Sequence, residues 1–272
     1  MNTTVPAEQA IRAIVRSAVE GFADGFVGRH SAEASDPDGT INMKIHNPFI
    51  AALGMEVQYY SALSRSLDSS LGSMIESMAL NIASLSYDVE RHVEGPLAAE
   101  QTRLIAALLE RYKRRENRSI PSVADYQSLR TVISASSPNK RHESDYYLLD
   151  RETGIRYLIE LKIGGDLDNK KARAEKEALL EQYAILCNVL GLDADVRILF
   201  ATAYNRFGEG RPWRQERVRQ FFADEELLVG SAFWNFIVKS PGGFELVMDA
   251  YRQSAPSIVA ALGRLRRVYL QS

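Results

Sequence analysis

Residues 145–162 read DYYLLDRETGIRYLIELK, and this stretch decides the fold. Two β-rich runs, YYLLD and IRYLIELKI, flank the short loop RETG, which contains Gly154; this is the pattern of a β-hairpin. Residues 169–190 predict a helix that ends before Gly191, and residues 195–203 (DVRILFATA) predict an apolar strand. A strand, a long helix and a second strand in this order predict a crossover onto the same sheet.

Upstream of the hairpin, the chain is predicted to be largely helical. Apolar residues recur at three- and four-residue spacing over residues 6–28, and residues 68–92 form a second long amphipathic stretch. The polar segments 31–46 and 136–144 predict loops. The sequence therefore predicts an α/β fold with a largely helical N-terminal half.

A domain boundary is expected near residues 116–122. It would separate a mainly helical region, 1–118, from a second region, 119–272, which contains the hairpin and the crossover. The same helices could instead surround one core, and the sequence leaves this alternative open.

Composition excludes several classes of protein. The chain has 272 residues with a formal net charge of −2, so its overall charge does not indicate a nucleic-acid binder, although local charge still can. The single cysteine, Cys187, excludes an internal disulfide framework and a cysteine-rich zinc site. No apolar run is long enough for a membrane span, and the N-terminus does not have the pattern of a secretory signal, so we expect a cytoplasmic protein. No Walker A or dinucleotide fingerprint is present, and we expect no nucleotide cofactor.

Three ionisable residues are predicted to meet at one end of the hairpin. Side chains alternate between the two faces of a strand, so Glu160 and Lys162 project side by side from an otherwise apolar run. Fourteen residues separate Asp145 from Glu160, and antiparallel pairing through the RETG turn would bring Asp145 opposite the Glu160 region. Asp150 is a rival for Asp145, but it lies at the turn, where aspartate is common for turn geometry alone.

This arrangement suits a magnesium ion. Mg²⁺ prefers oxygen ligands, which the carboxylates of Asp145 and Glu160 and the carbonyl of Leu161 would supply. Lys162 would orient a water or offset charge on the phosphorus, and the implied chemistry is phosphodiester hydrolysis. The competing interpretation is that a Glu-x-Lys pair simply marks a solvated strand, although the flanking Ile and Leu residues argue that the strand is partly buried.

Asp145, Glu160 and Lys162 together resemble the signature of the PD-(D/E)XK nucleases, without the proline before the aspartate. Residues 204–237, with HNPF at 46–49 and LGSMIE at 71–76, are similar to type II restriction endonucleases of the TdeIII kind, which read GGNCC-type sites. The similarity covers roughly residues 40–240, and the chain length and overall pattern are also similar to those of the RGGNCCY-cutting member of this group.

The resemblance implies a restriction-endonuclease-like central mixed sheet flanked by helices, a homodimer, magnesium dependence and double-strand cleavage that leaves 5′ overhangs. It assigns metal binding to Asp145 and Glu160, and the role of catalytic lysine to Lys162. It also points to Glu76 as a secondary residue that approaches the metal through water; the alternative is an exposed helix glutamate. The N-terminal region would then serve dimerisation, through residues 6–28 or 244–270, and part of a DNA clamp.

Candidate DNA contacts are basic or amide side chains near the predicted site. Some precede Asp145 or begin the helix after Lys162, where they could hold phosphates. Others lie in a glycine-containing segment, residues 204–219, that Trp213 could anchor, and arginine there suits guanine in the major groove. The predicted contacts are Lys44, Asn139, Lys140, Arg141, Asn169, Lys170, Lys171, Arg206, Arg211 and Arg214. Two other functions stay open from the sequence: a nuclease of DNA repair or RNA processing, and a non-catalytic DNA-binding protein.

Overall fold

A mixed sheet is the centre of the structure, a computed structural model that describes residues 5–114, 120–131, 137–164 and 167–270, except for the side chain of Asp145. Within these residues the sheet has five strands, in chain order. Antiparallel pairing joins the first three, and parallel pairing joins the third, fourth and fifth. The strands are β1 (Tyr87–Pro96), β2 (Asn139–Asp150), β3 (Arg156–Lys162), β4 (Val196–Thr202) and β5 (Leu227–Val229). The predicted mixed sheet is confirmed.

The helices divide between the two halves of the chain as the sequence predicts, with the N-terminal half mainly helical. Short 3-10 helices occupy Asn42–His46, Val123–Leu129 and Asp224–Glu226. The described α-helices are α1 (Val5–Ala32), α2 (Pro48–Ala51), α3 (Met55–Ala83), α4 (Ala99–Arg114), α5 (Asn169–Leu190), α6 (Glu216–Arg219), α7 (Ser231–Val238), α8 (Gly243–Ser254) and α9 (Pro256–Leu270).

The predicted hairpin and crossover are both present. Strands β2 and β3 pair antiparallel, and Gly154 takes a φ of +71° in the turn between them, a conformation that glycine adopts without strain. Helix α5 then connects β3 to the parallel strand β4. Its first turn is capped by the side chain of Asp168, and it ends before Gly191, whose φ is +102°.

Three local predictions are wrong. The stretch 68–92 is not one helix, because α3 ends at Ala83 and β1 begins at Tyr87. Residues 139–144 are not a loop, because they form the start of β2. In both cases pairing between β1 and β2, which are distant in sequence, overrides the local pattern. Strand β5, in a region predicted to be loop and short helices, has only three residues, too few to show a period.

The chain forms two compact units, residues 83–244 and residues 1–82 with 245–272. In the first, α4 and α5 pack on the sheet around a core that includes Leu109, Leu180 and Phe200. In the second, α1 packs along α9. The functional division near residue 118 stays a prediction. Within the described part of the chain, every helix is too short or too polar to cross a lipid bilayer.

Candidate active site

The site begins at an irregularity in strand β2. Tyr146 pairs with Ile159, so Asp145 and Glu160 are the next residues along the two strands. On the other side of β2 the register shifts, and residues 144–146 lie opposite the single residue Arg91 of β1. Such bulges occur beside active sites, where they redirect a side chain. The backbone of Asp145 is thus at the centre of the bulge, while its side chain lies outside the described part of the structure.

Glu160 and Lys162 project from the last turn of the pleat in β3, as the alternation predicts. Leu161 between them is fully buried, whereas the side chains of Glu160 and Lys162 are 12% and 33% exposed. The Lys162 ammonium contacts the Glu160 carboxylate directly. The partial burial of Glu160 strengthens this attraction relative to a solvated pair. The expected juxtaposition of acid and amine on one face of β3 is present.

Glu175, in the second turn of α5, joins the site, and the sequence analysis missed it. Its carboxylate lies 3.3 Å from the Lys162 ammonium. The surrounding run, NKKARAEKE, resembles an ordinary solvated helix start. The crossover topology did contain a signal, because a helix that directly follows a strand starts at the carboxyl end of that strand, where Lys162 lies.

The donor set of this strand end fits a hard cation. Carboxylate oxygens are the ligands that Mg²⁺ prefers, and Glu160 and Glu175 together carry one negative charge more than Lys162 balances. Among the side chains that the structure describes, no group of three or more histidine, cysteine, aspartate or glutamate residues is arranged to hold a metal ion. That search does not include the carboxylate of Asp145.

Asp150, the rival of Asp145, serves the hairpin turn. Its buried carboxylate accepts hydrogen bonds from the backbone N–H groups of Glu152 and Thr153, at 2.8 and 3.2 Å, and from the Lys239 ammonium at 2.7 Å. Burial alone would raise the pKa of Asp150, but these hydrogen bonds lower it below its usual value. Asp150 is therefore a structural residue at the turn end of β2.

The residues before Asp145 are more constrained than a loop would be. Asn139, Lys140 and Arg141 belong to β2 and pair with β1. The Lys140 ammonium contacts the buried carboxylate of Glu181, and the Arg141 guanidinium lies 4.0 Å from that of Glu94. Any phosphate contact by Lys140 would compete with an internal ion pair.

The start of α5 presents its basic side chains outward. Asn169, Lys170 and Lys171 are all exposed. However, the Asp168 carboxylate accepts a hydrogen bond from the backbone N–H of Lys171 at 2.8 Å, so the helix end already has an anion at one of its donors. A phosphate here would have to be held mainly by the side chains.

Residues 204–215, which we call the arginine loop, follow directly from the end of β4. Thr202, the last residue of β4, pairs with Lys162, so the loop begins beside the site. The side chain of Asn205 donates to the carbonyl of Arg211 at 2.7 Å, and Trp213 is buried against Phe200. The loop is thus anchored at both ends, as predicted for Trp213.

A carboxylate also fastens the arginine loop to α7. Glu209 accepts hydrogen bonds from the backbone N–H groups of Asn205, at 2.8 Å, and Ser231, at 3.1 Å. Arg206, Arg211 and Arg214 remain exposed on this anchored loop. The loop therefore presents guanidinium groups outward from a rigid base.

Lys44 and Glu76 belong to the other compact unit. Lys44 lies in the 3-10 helix Asn42–His46 and is half-buried, and Glu76 lies in α3. Their roles stay predictions, as does the carbonyl of Leu161 as a metal ligand.

A mixed sheet that brings an acid and an amine together at the end of a central strand, beside an arginine-bearing loop, is the architecture of a restriction-type nuclease. A family model confirms this class: the model for HinfI, a type II restriction endonuclease, matches residues 7–255. The chain belongs to the HinfI family of type II restriction endonucleases. No curated protein and no solved structure matches the chain significantly. The protein is thus a type II site-specific deoxyribonuclease that binds and cuts double-stranded DNA, and its family generally uses a divalent metal ion.

Proposed function

We propose that this protein is a magnesium-dependent, homodimeric, cytoplasmic restriction endonuclease that cuts both DNA strands at a palindromic GGNCC-type site and leaves 5′ overhangs. One observation carries the catalytic part of this proposal: Glu160 and Lys162 meet at the end of β3, next to the β2 bulge that contains Asp145. The GGNCC-type site rests on the TdeIII-like segments 46–49, 71–76 and 204–237, and RGGNCCY is the first sequence to test.

In this proposal the carboxylates of Asp145 and Glu160 and the carbonyl of Leu161 hold the metal ion, with Glu76 as a secondary residue. When bound, Mg²⁺ supplies charge neutralisation at the phosphate and lowers the pKa of a water. Lys162 places a fixed positive charge beside the scissile phosphate, where negative charge develops during attack. Glu175, 3.3 Å from the Lys162 ammonium, keeps that charge in position.

DNA contacts divide between the arginine loop and the basic side chains around β2 and α5. We assign base reading to Arg206, Arg211 and Arg214, because exposed guanidinium groups on an anchored loop can form paired hydrogen bonds with guanine. Phosphate contacts are assigned to the remaining predicted residues, which are Lys44, Asn139, Lys140, Arg141, Asn169, Lys170 and Lys171. For Lys140, this requires exchange of its contact with Glu181.

A homodimer follows from the symmetry of a palindromic site, which requires two equivalent active sites. The segments first expected at the interface, 6–28 and 244–270, have much of their apolar surface covered within one unit, where Val15 and Val19 of α1 and Leu265 of α9 are fully buried. The same unit exposes large apolar side chains between residues 43 and 57. Exposed apolar clusters often mark contact surfaces, so this segment is the better candidate. We keep the region 1–118 as the proposed dimerisation and clamp region and 119–272 as the proposed catalytic and recognition region.

Digestion of a mapped DNA with Mg²⁺, followed by sequencing of the ends, tests the proposal. We expect discrete fragments whose ends fall at one palindromic sequence with 5′ overhangs. Glu160→Ala and Lys162→Ala should abolish cleavage while DNA binding remains. Glu177→Ala, which removes a carboxylate from α5 outside the site, is the matched control and should cleave normally. Random nicking would refute site-specific cleavage, and cleavage by both active-site variants would refute the assigned site.

A further inference from the structure

The helical unit contains a cationic pocket that the catalytic site does not explain. The pocket has a volume of about 350 Å³ and is lined by Arg29 from α1, Lys44 from the 3-10 helix Asn42–His46, and Arg65 from α3. Hydroxyl groups of Thr40 and Ser69 complete part of the wall. Three positive charges around one opening are unusual in a chain with a formal net charge of −2.

The positive charge of this cationic pocket is not balanced locally. In the part of the chain that the structure describes, Arg29, Lys44 and Arg65 form no ion pair with a carboxylate, and no acidic residue lines the pocket. Glu33 lies one turn beyond Arg29, but its carboxylate accepts a hydrogen bond from the backbone N–H of Thr40 at 3.0 Å and lies 3.6 Å from the His30 ring. The pocket therefore attracts an anion.

The walls of the cationic pocket are held in place. The Arg29 guanidinium donates a hydrogen bond to the Ser70 hydroxyl at 2.9 Å, which links α1 to α3. The Asn42 side chain donates to the carbonyls of Ala34 and Asp36, at 3.0 and 2.6 Å, and so fixes the segment that leads to Lys44. A second cavity, of about 470 Å³, shares Arg29, Ser69 and Ser70 with the first and extends along the same two helices.

We propose that the cationic pocket holds a phosphate group of the DNA backbone. Guanidinium and ammonium groups with adjacent hydroxyls are the donors that phosphate oxygens accept best. The continuation of the pocket along α1 and α3 suits a backbone that passes by, rather than a small enclosed anion. This inference rests on the proposed function, because it adds a phosphate contact to the proposed DNA interface, in the unit that does not contain β3.

The test measures how DNA affinity depends on salt, using a catalytically inactive background, Glu160→Ala, and an oligonucleotide that contains the cleaved site. Each phosphate contact contributes about −0.9 to the slope of log affinity against log salt for duplex DNA. Arg65→Gln should reduce the steepness by about that amount, which is about 3.5-fold less loss of affinity between about 50 and about 200 mM salt. Arg29→Gln is a second variant, but it also removes the link to Ser70.

Arg16→Gln is the matched control, since Arg16 is an exposed arginine on α1 that does not line the cationic pocket. It should leave the slope unchanged. Equal slopes for Arg65→Gln and the parent, with melting curves that show both folded, would overturn the inference. Titration of the DNA-free protein with inorganic phosphate separates the sources: saturable phosphate binding without a slope change would assign the pocket to a free anion and also overturn the DNA contact. Failure of the wild-type enzyme to cleave would instead count against the proposed function.

Discussion

Replacement of Lys176 by methionine should strongly destabilise the sheet-containing unit. Lys176 lies in α5 and is fully buried. Its ammonium donates hydrogen bonds to both carboxylate oxygens of Glu226, at 2.6 and 2.7 Å, and to the Tyr126 hydroxyl at 2.7 Å. It also lies 4.6 Å from the ring centre of Phe222. This single ion pair joins α5 to two 3-10 helices, one of which immediately precedes β5.

The magnitude follows from what the substitution leaves behind. Lys176→Met leaves the Glu226 carboxylate 1% exposed, with hydrogen bonds from Tyr126 and from the backbone N–H of Ala223 but without a counter-charge. Removal of one partner from a buried ion pair costs about 3–5 kcal/mol, a large part of the typical 5–15 kcal/mol of a folded domain. Burial lowers the pKa of Lys176, and the Glu226 carboxylate opposes that shift, which shows how far the two charges depend on each other.

Urea denaturation at neutral pH measures this cost. With a slope of about 2 kcal/mol per M, the midpoint should fall by about 2 M. The double variant Lys176→Met/Glu226→Leu removes both charges and should recover most of the loss, because neither partner is left uncompensated. Lys170→Met, an exposed lysine on the same helix, is the control and should change stability by less than about 0.5 kcal/mol. A loss below about 1 kcal/mol for Lys176→Met, or a double variant as unstable as the sum of the two singles, would refute this reasoning.

Three further predictions concern other contacts. Glu175→Gln should lower kcat about fivefold with little change in KM for DNA, because a half-exposed ion pair with Lys162 contributes about 1 kcal/mol; an effect on KM alone would contradict the positioning role. The pKa of Glu181 is lowered, first by the His142 ring and then, against the effect of burial, by Lys140, so its stabilisation is present above about pH 4.3 and is lost as pH falls through the folded-state pKa. Glu181→Gln should therefore lose less stability than the wild type between about pH 5 and pH 3, and parallel acid denaturation curves would argue against it. Gly95→Ala should cost about 1–3 kcal/mol, since a Cβ at Gly95 would lie 2.5 Å from a methyl carbon of Val189, and an unchanged melting temperature would show that α5 can move away.

The active site shows where local pattern stops being sufficient. Strand alternation places Glu160 and Lys162 on one face whatever the rest of the fold does, and the structure confirms this. Glu175 was missed because its neighbours in sequence are those of any solvated helix, and only the return of α5 over the end of β3 brings it to Lys162. The roles assigned to Asp145 and to the DNA-contacting residues stay predictions.

By itself, the sequence determined the hairpin, the crossover helix from residue 169 to 190, and the strand that follows it. Each of these depends on side-chain period and turn residues within a short window, which a single chain segment carries completely. Only the tertiary structure decided that Tyr87–Pro96 is a strand, that β2 extends back to Asn139, and that residues 144–146 bulge opposite Arg91. These features arise from hydrogen bonding between segments about fifty residues apart, and the free energy of such pairing depends on the partner strand rather than on local propensity.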